Sequence, residues 1–202
     1  MRASDLGGEW AVVTGASSGL GHDFAVQLAQ QGMNIVIAAR REDRLAELER
    51  ELVETCGVEA MVVATDLAGE EGADRLVRAV FDAGIDPLVL INNAGFGAYG
   101  YFLDVPWETE RAMLSLDIIS LVYLTRRFAE RMIDLGRGYI VQVSSIGAYQ
   151  SSPTYASYAA AKSYVLHYGE AIAHELRGTG VSVTVLSPGV TATEFLDVAG
   201  QR

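Results

Sequence analysis

Six short apolar runs punctuate the chain, at 10–14, 34–39, 60–64, 88–92, 139–144 and 182–187. They are rich in Val, Ile and Leu with little polar alternation, the pattern of strands buried on both faces. Longer stretches with apolar residues at helical spacing separate them, at 19–30, 41–55, 69–82, 107–135 and 154–177. Strand and helix alternate throughout, which predicts an α/β protein with a parallel sheet and helices on both faces. The last two helical stretches are unusually long and carry apolar residues on more than one side. Such helices are expected to bury a second face, either against another subunit or under a deep helix layer of one subunit.

The chain has 202 residues, half of them apolar and a fifth charged, as expected of one domain, 1–202, with a full hydrophobic core. No apolar run reaches the ~18 residues that would cross a bilayer, and the N-terminus does not read as a signal peptide. The single cysteine, Cys56, cannot form an internal disulfide, which fits a reducing, cytoplasmic setting. No metal-ligand spacing surrounds it. The formal net charge of −11 argues against nucleic acid as a partner, because nothing but local patches could attract phosphate. An anionic ligand would need a pocket built for it.

Such a pocket is foreshadowed after the first strand, where the chain reads Thr14-Gly15-Ala16-Ser17-Ser18-Gly19-Leu20-Gly21 and enters a helix. Glycines here permit a tight turn, close approach of backbone to a pyrophosphate, and close packing of helix on strand. The helix N-terminus directs free amides and a positive dipole end at the anion. Gly15, Ser17, Ser18, Gly19, Leu20 and Gly21 are therefore candidate cofactor-binding residues in a Rossmann-type doubly wound sheet of order 3-2-1-4-5-6. The second strand ends in Ala39-Arg40-Arg41-Glu42-Asp43-Arg44. An acidic residue at that edge would grip ribose hydroxyls, whereas arginine suits a 2′-phosphate. Arg40, with Arg41 beside it, points to NADP(H); Arg44 reads as the solvated start of a helix.

Lys162 is the single lysine among 15 basic residues, and it follows a tyrosine by four positions in Tyr158-Ala159-Ala160-Ala161-Lys162. Residues four apart share a helix face, so a phenol and an ammonium can converge on one ligand. A phenol with pKa near ~10 works as an acid–base group at neutral pH only when a fixed cation favours its phenolate.

With the glycine turn, Asn92-Asn93-Ala94-Gly95, the Ser144-Ser145 pair, Tyr158-x3-Lys162 and Pro188-Gly189 in this order, the chain resembles a short-chain dehydrogenase/reductase over roughly residues 8 to 196. The resemblance implies that Tyr158 is the general acid/base and that Lys162 favours its phenolate and holds the nicotinamide ribose. It implies Ser145, thirteen residues before the tyrosine, as the hydroxyl that holds the substrate oxygen. Asp66 and Leu67 match an adenine-contacting pair, and Asn93, Ala94 and Gly95 match the segment on the adenosine side. Pro188, Gly189, Thr191 and Thr193 match the loop that holds the nicotinamide carboxamide. Asn92 is expected to stabilise the sheet and Ser144 to end a strand. His22, His167 and His174 match no catalytic position.

Two departures qualify the resemblance. A catalytic asparagine is usual in the fourth helix of the family, where it maintains a local helix distortion; here the chain reads Leu116-Asp117-Ile118-Ile119. An ionised aspartate accepts hydrogen bonds but cannot donate them, and its charge would favour the ammonium of Lys162 while cancelling part of its pull on Tyr158. Members of the family also usually continue further past the Pro-Gly segment, so a C-terminal strand and a substrate lid are expected to be missing and the chain to be truncated. The leading reading is an NADP(H)-dependent oxidoreductase that interconverts a small neutral carbonyl and its alcohol. The alternative is a non-catalytic NADP(H)-binding redox sensor or scaffold, which Asp117 and the short C-terminus favour and which hydride exchange with a small carbonyl would exclude.

Overall fold

A computed structural model of the protein describes residues 6–189. Six parallel strands form one sheet: β1 (Trp10–Thr14), β2 (Asn34–Ala39), β3 (Ala60–Ala64), β4 (Pro87–Asn92), β5 (Gly138–Val143) and β6 (Val181–Leu186). Their order is β3-β2-β1-β4-β5-β6, as expected for a doubly wound sheet. Three strands match the predicted spans and the other three begin one residue early. Such ends are set by pairing: Gly138 and Val181 face each other across β5 and β6, which composition alone does not reveal.

The alternating side chains of the central strands supply two cores. Ala11, Val13, Ile35, Ile37 and Ile91 pack against α1 (Gly19–Gln30) and α2 (Glu42–Cys56), which contribute Ala25, Ala29, Leu45, Leu48 and Leu52. Val12, Val36, Leu90 and Ile140 face the other way, onto α3 (Glu70–Asp82) and α5 (Leu121–Asp134). The strands thus bury both faces, which explains their unbroken apolar composition. The long helix α6 (Ala156–Glu175) lies over β5 and β6. Gly169 makes that approach possible, because a methyl there would come within 2.4 Å of Val185 Cγ2. Asn92 stabilises the sheet as expected: its amide donates to Thr125 Oγ1 (2.9 Å) and Gln142 Oε1 (3.1 Å), tying β4 to β5 and α5.

The predicted helix 107–135 is interrupted. It begins as α4 (Trp107–Leu114), widens into a π-helical turn over Ser115–Ser120, and resumes as α5. A π-turn takes in more residues than an α-turn, so side chains three apart splay to different sides. Asp117 and Ser120 use that splay to reach two separate parts of the site described below. Among the described residues, no helix is long and apolar enough to cross a membrane.

Candidate active site

The sheet reverses its winding between β1 and β4, and loops leaving the strand ends diverge there to form a cavity of ≈ 530 Å³. It collects most of the candidate residues. Gly15, Ser17, Ser18, Gly19 and Leu20 line one end with Arg40 and Arg41; Asp66, Leu67, Asn93, Ala94 and Gly95 line the middle; Ser145, Tyr158, Lys162, Pro188 and Gly189 line the other end. Gly21 and Asp117 do not line it, and Thr191 and Thr193 lie outside the described residues.

The glycine turn divides its labour. Gly15 adopts a left-handed φ of +68°, and a Cβ there would lie 2.8 Å from Asn93 Nδ2 and 2.9 Å from Ala94 Cα. Gly21 sits behind the turn, where a Cβ would be 2.2 Å from the Gly15 carbonyl oxygen, so its role is close packing of α1 on β1. Thr14 completes the frame: its hydroxyl donates to the Ile91 carbonyl and accepts from the Asn93 and Ala94 amides, both at 3.0 Å. The N-cap Ser18 makes no side-chain cap, which leaves the first amides of α1 directed at the cavity. These features fit a dinucleotide pyrophosphate.

The two arginines differ. Arg40 is exposed, whereas Arg41 is half-buried and folds back on the turn. The Arg41 guanidinium donates to Ser18 Oγ at 2.7 Å and to Ser17 Oγ at 3.1 and 3.2 Å. Arg41 is therefore held in place beside the serines, while Arg40 lines the same end of the cavity with its side chain exposed.

In the middle, Asp66 Oδ1 accepts from the Ala68 amide at 3.0 Å, and buried Ser120 donates its hydroxyl to the Leu67 carbonyl. Gly72 packs so closely beneath this loop that a Cβ would overlap the Asp66 carbonyl. Ser120 and Thr14 were not among the sequence candidates. Each is a small hydroxyl residue inside an apolar run, and its partner is more than fifty positions away.

At the far end, Ser145 caps a short 3₁₀ turn (Ile146–Tyr149), its Oγ accepting from the Gly147 amide at 3.1 Å. A methyl on Gly147 would stand 3.5 Å from Ser145 Oγ and 3.9 Å from Tyr158 Cε1, so these two side chains flank the same small space. Ser144 points the other way and donates to the Lys162 carbonyl at 2.8 Å, fixing α6 against the end of β5. The Ile146 amide donates to the Pro188 carbonyl at 3.0 Å, which brings the Pro-Gly loop alongside. Tyr149 is exposed and does not line the cavity.

Lys162 is almost fully buried behind Tyr158, its Nζ 5.8 Å from the ring centroid and 3.2 Å from the Val143 carbonyl oxygen. Asp117, wholly buried, places Oδ2 3.1 Å from that Nζ and accepts the Phe96 amide on Oδ1 at 3.1 Å. Nζ lies off the direction of a hydrogen bond to Oδ2, so charge rather than a directed bond joins the pair. Burial pushes the Asp117 carboxyl above its ordinary range, an effect that the Lys162 ammonium and the Phe96 amide oppose. Gly95 leaves room for both groups: a Cβ there would sit 3.0 Å from each Asp117 oxygen and 3.1 Å from Nζ. Gly95→Ala is accordingly expected to lower stability by about 1–3 kcal/mol, the usual cost of overpacking, as read by denaturant unfolding.

The sequence profile described as "short chain dehydrogenase" matches residues 9–201. A 7beta-hydroxysteroid dehydrogenase from Collinsella aerofaciens is 35% identical over 196 residues, covering 97% of this chain and 74% of the relative. A very-long-chain 3-oxoacyl-CoA reductase from Homo sapiens is 32% identical over 195 residues, covering 95% and 62%. Among solved structures, a short-chain dehydrogenase from Sphingobium yanoikuyae in complex with NADPH superposes with a TM-score of 0.90 at 30% identity, covering 96% of this chain and 75% of that one. With the sheet order, the dinucleotide cavity and the paired Tyr158 and Lys162 in place, the chain belongs to the short-chain dehydrogenase/reductase family and is an oxidoreductase of the alcohol–carbonyl pair.

Proposed function

We propose that the chain is an NADP(H)-dependent carbonyl reductase acting on a neutral ketone or aldehyde, with Ser145, Tyr158 and Lys162 as its working groups and Asp117 as the buried partner of the lysine. The convergence of Ser145 Oγ and the Tyr158 ring on one small space, with the only lysine behind them, carries this reading. Bound NADP(H) would supply the hydride. The turn from Gly15 to Gly21 and the N-terminus of α1 would hold its pyrophosphate, Arg41 and Arg40 its 2′-phosphate, and Asp66 and Leu67 its adenine. Asn93, Ala94 and Gly95 would flank the adenosine, and Pro188 and Gly189, with Thr191 and Thr193, the carboxamide.

Within that frame Ser145 donates a hydrogen bond to the carbonyl oxygen and stabilises the charge that grows there. Tyr158 gives its phenolic proton to the same oxygen, and the Lys162 ammonium offsets the negative charge left on Tyr158 Oη. In the oxidising direction the same groups take the proton back. The hydroxysteroid relative acts, by its name, on a large apolar ring skeleton. Phe96, Ile146 and Tyr155 wall the Ser145 end of the cavity here and fit that chemistry. Exposed Ile119 and Tyr164, on the two long helical stretches, support self-association as a homodimer or homotetramer.

Calorimetric titration with NADPH, and with NADH in parallel, tests the cofactor. NADPH is expected to bind more tightly, and Arg41→Ala to reduce the NADPH/NADH affinity ratio at least about tenfold, the value of one charge-assisted phosphate contact. Equal binding of the two cofactors by the unaltered chain would reject the NADP(H) assignment. A larger effect from Arg40→Ala would return the principal role to Arg40.

A further inference from the structure

The backbone just before α6 carries a local strain that the catalytic groups do not require. Thr154 has φ +68°, the one left-handed non-glycine residue among those described. A β-branched side chain is disfavoured in that region, and such strain persists only where the surroundings enforce it, most often at functional sites. A long-range contact accompanies it here: the Thr154 carbonyl accepts the Gly100 amide at 2.9 Å, which ties the loop after β4 to the start of α6. The result is a row of three aromatic rings. Tyr99 on that loop lies 5.2 Å from Tyr155, tilted at 53°, and Tyr155 lies 5.9 Å from Tyr158, edge-on at 60°. Tyr155 also lines the cavity, as do Ile146 and Tyr158.

Building on the carbonyl-reductase reading above, we propose that Tyr155, set by the strained Thr154 and backed by Tyr99, is a specificity-determining wall that selects neutral carbonyl substrates with a flat ring system next to the reacting carbon. Because the rings are inclined to one another, Tyr155 presents apolar ring carbon beside the proton donor, a contact that a substrate ring meets edge-to-face or offset. Burial, together with the neighbouring Tyr158 and Tyr99 phenols, pushes the Tyr155 phenol above its usual range, so the wall stays uncharged over the working pH range. Lys162, behind the neighbouring Tyr158 ring, is already engaged by Asp117 and the Val143 carbonyl, which disfavours a carboxylate next to the reacting carbon. A linear aliphatic ketone would leave the ring faces uncovered.

The test is NADPH oxidation with 2-tetralone, butanone and pyruvate. We expect kcat/KM for 2-tetralone to exceed that for butanone by about 100-fold or more, with pyruvate the poorest, since hydrophobic contact accumulates with each added ring carbon. Tyr155→Ala should reduce the tetralone/butanone ratio at least about tenfold, mainly through KM, while Tyr155→Phe, which keeps the ring, retains the preference. Tyr99→Ala, on a more exposed side chain, should move the ratio in the same direction and serves if Tyr155→Ala fails to fold. Butanone or pyruvate used as efficiently as 2-tetralone, or a ratio unmoved in both alanine variants, overturns the wall and leaves the reductase reading standing. Turnover of none of the three ketones overturns the reductase reading, and the wall with it.

Discussion

Replacing Tyr158 with Phe is expected to reduce turnover by about 10³-fold, the usual weight of a positioned acid–base group, while leaving NADPH affinity within a few-fold of the native value. The substitution removes one oxygen and keeps the ring that meets Tyr155 at 5.9 Å and lies in front of Lys162 Nζ, so cavity shape and packing persist. What is lost is the proton that Tyr158 Oη delivers to the substrate oxygen. Ser145 can still donate to that oxygen, since the Gly147 amide occupies only an acceptor position on its Oγ, but an aliphatic hydroxyl is too weak an acid to replace the phenol. Single-turnover kinetics beside a calorimetric NADPH titration separate chemistry from binding. Substantial residual turnover would remove Tyr158 from the proposed mechanism.

The second large effect is expected at Lys162. Lys162→Met replaces a buried ammonium with an apolar chain of similar length and leaves Asp117 without its cation. Removing one member of a buried pair costs about 3–5 kcal/mol, because the remaining charge cannot be solvated. The loss should depend on pH in a defined sense. Burial already holds the Asp117 carboxyl above its unfolded value of 3.8, and loss of Lys162 raises it further. Stability linked to a carboxyl raised in this way is full below the unfolded value and is lost as pH climbs through the folded one. The variant should therefore approach native stability in acid and fall away toward neutral pH. Lys162→Met combined with Asp117→Asn should recover most of the stability but none of the activity. Denaturant unfolding across the pH range checks this; a pH-independent loss in the single variant would mean that Asp117 does not carry the charge.

Asp117→Asn alone is expected to keep or raise activity and to move the alkaline limb of the pH–rate profile to lower pH. Asn can still accept the Phe96 amide, while the Lys162 charge would no longer be partly cancelled beside Tyr158. An inactive but folded Asp117→Asn protein would show instead that the carboxylate has a role of its own.

Much of this architecture was legible in the chain, for physical reasons. Strands buried on both faces must be apolar throughout, so the runs of β1, β2 and β4 announced a parallel sheet before any pairing was known, whereas the edge strand β6 exposes Ser182, Thr184 and Leu186. A tight turn packed close beneath a helix tolerates little besides glycine, which marked Gly15 and Gly21. A helix places residues four apart on one face, and that joined Tyr158 to Lys162. These are local constraints, recorded over a few consecutive residues. Contacts between distant segments leave no such record. Only the folded chain shows that Arg41 rather than Arg40 folds onto Ser17 and Ser18, that Gly95 clears space for the Asp117–Lys162 pair, and that the π-turn sends Ser120 to the Leu67 carbonyl. The strain at Thr154 is of the same kind. Nothing in Pro153-Thr154-Tyr155 announces a left-handed threonine; it occurs where the folded chain pairs the Thr154 carbonyl with the amide of Gly100, more than fifty positions earlier.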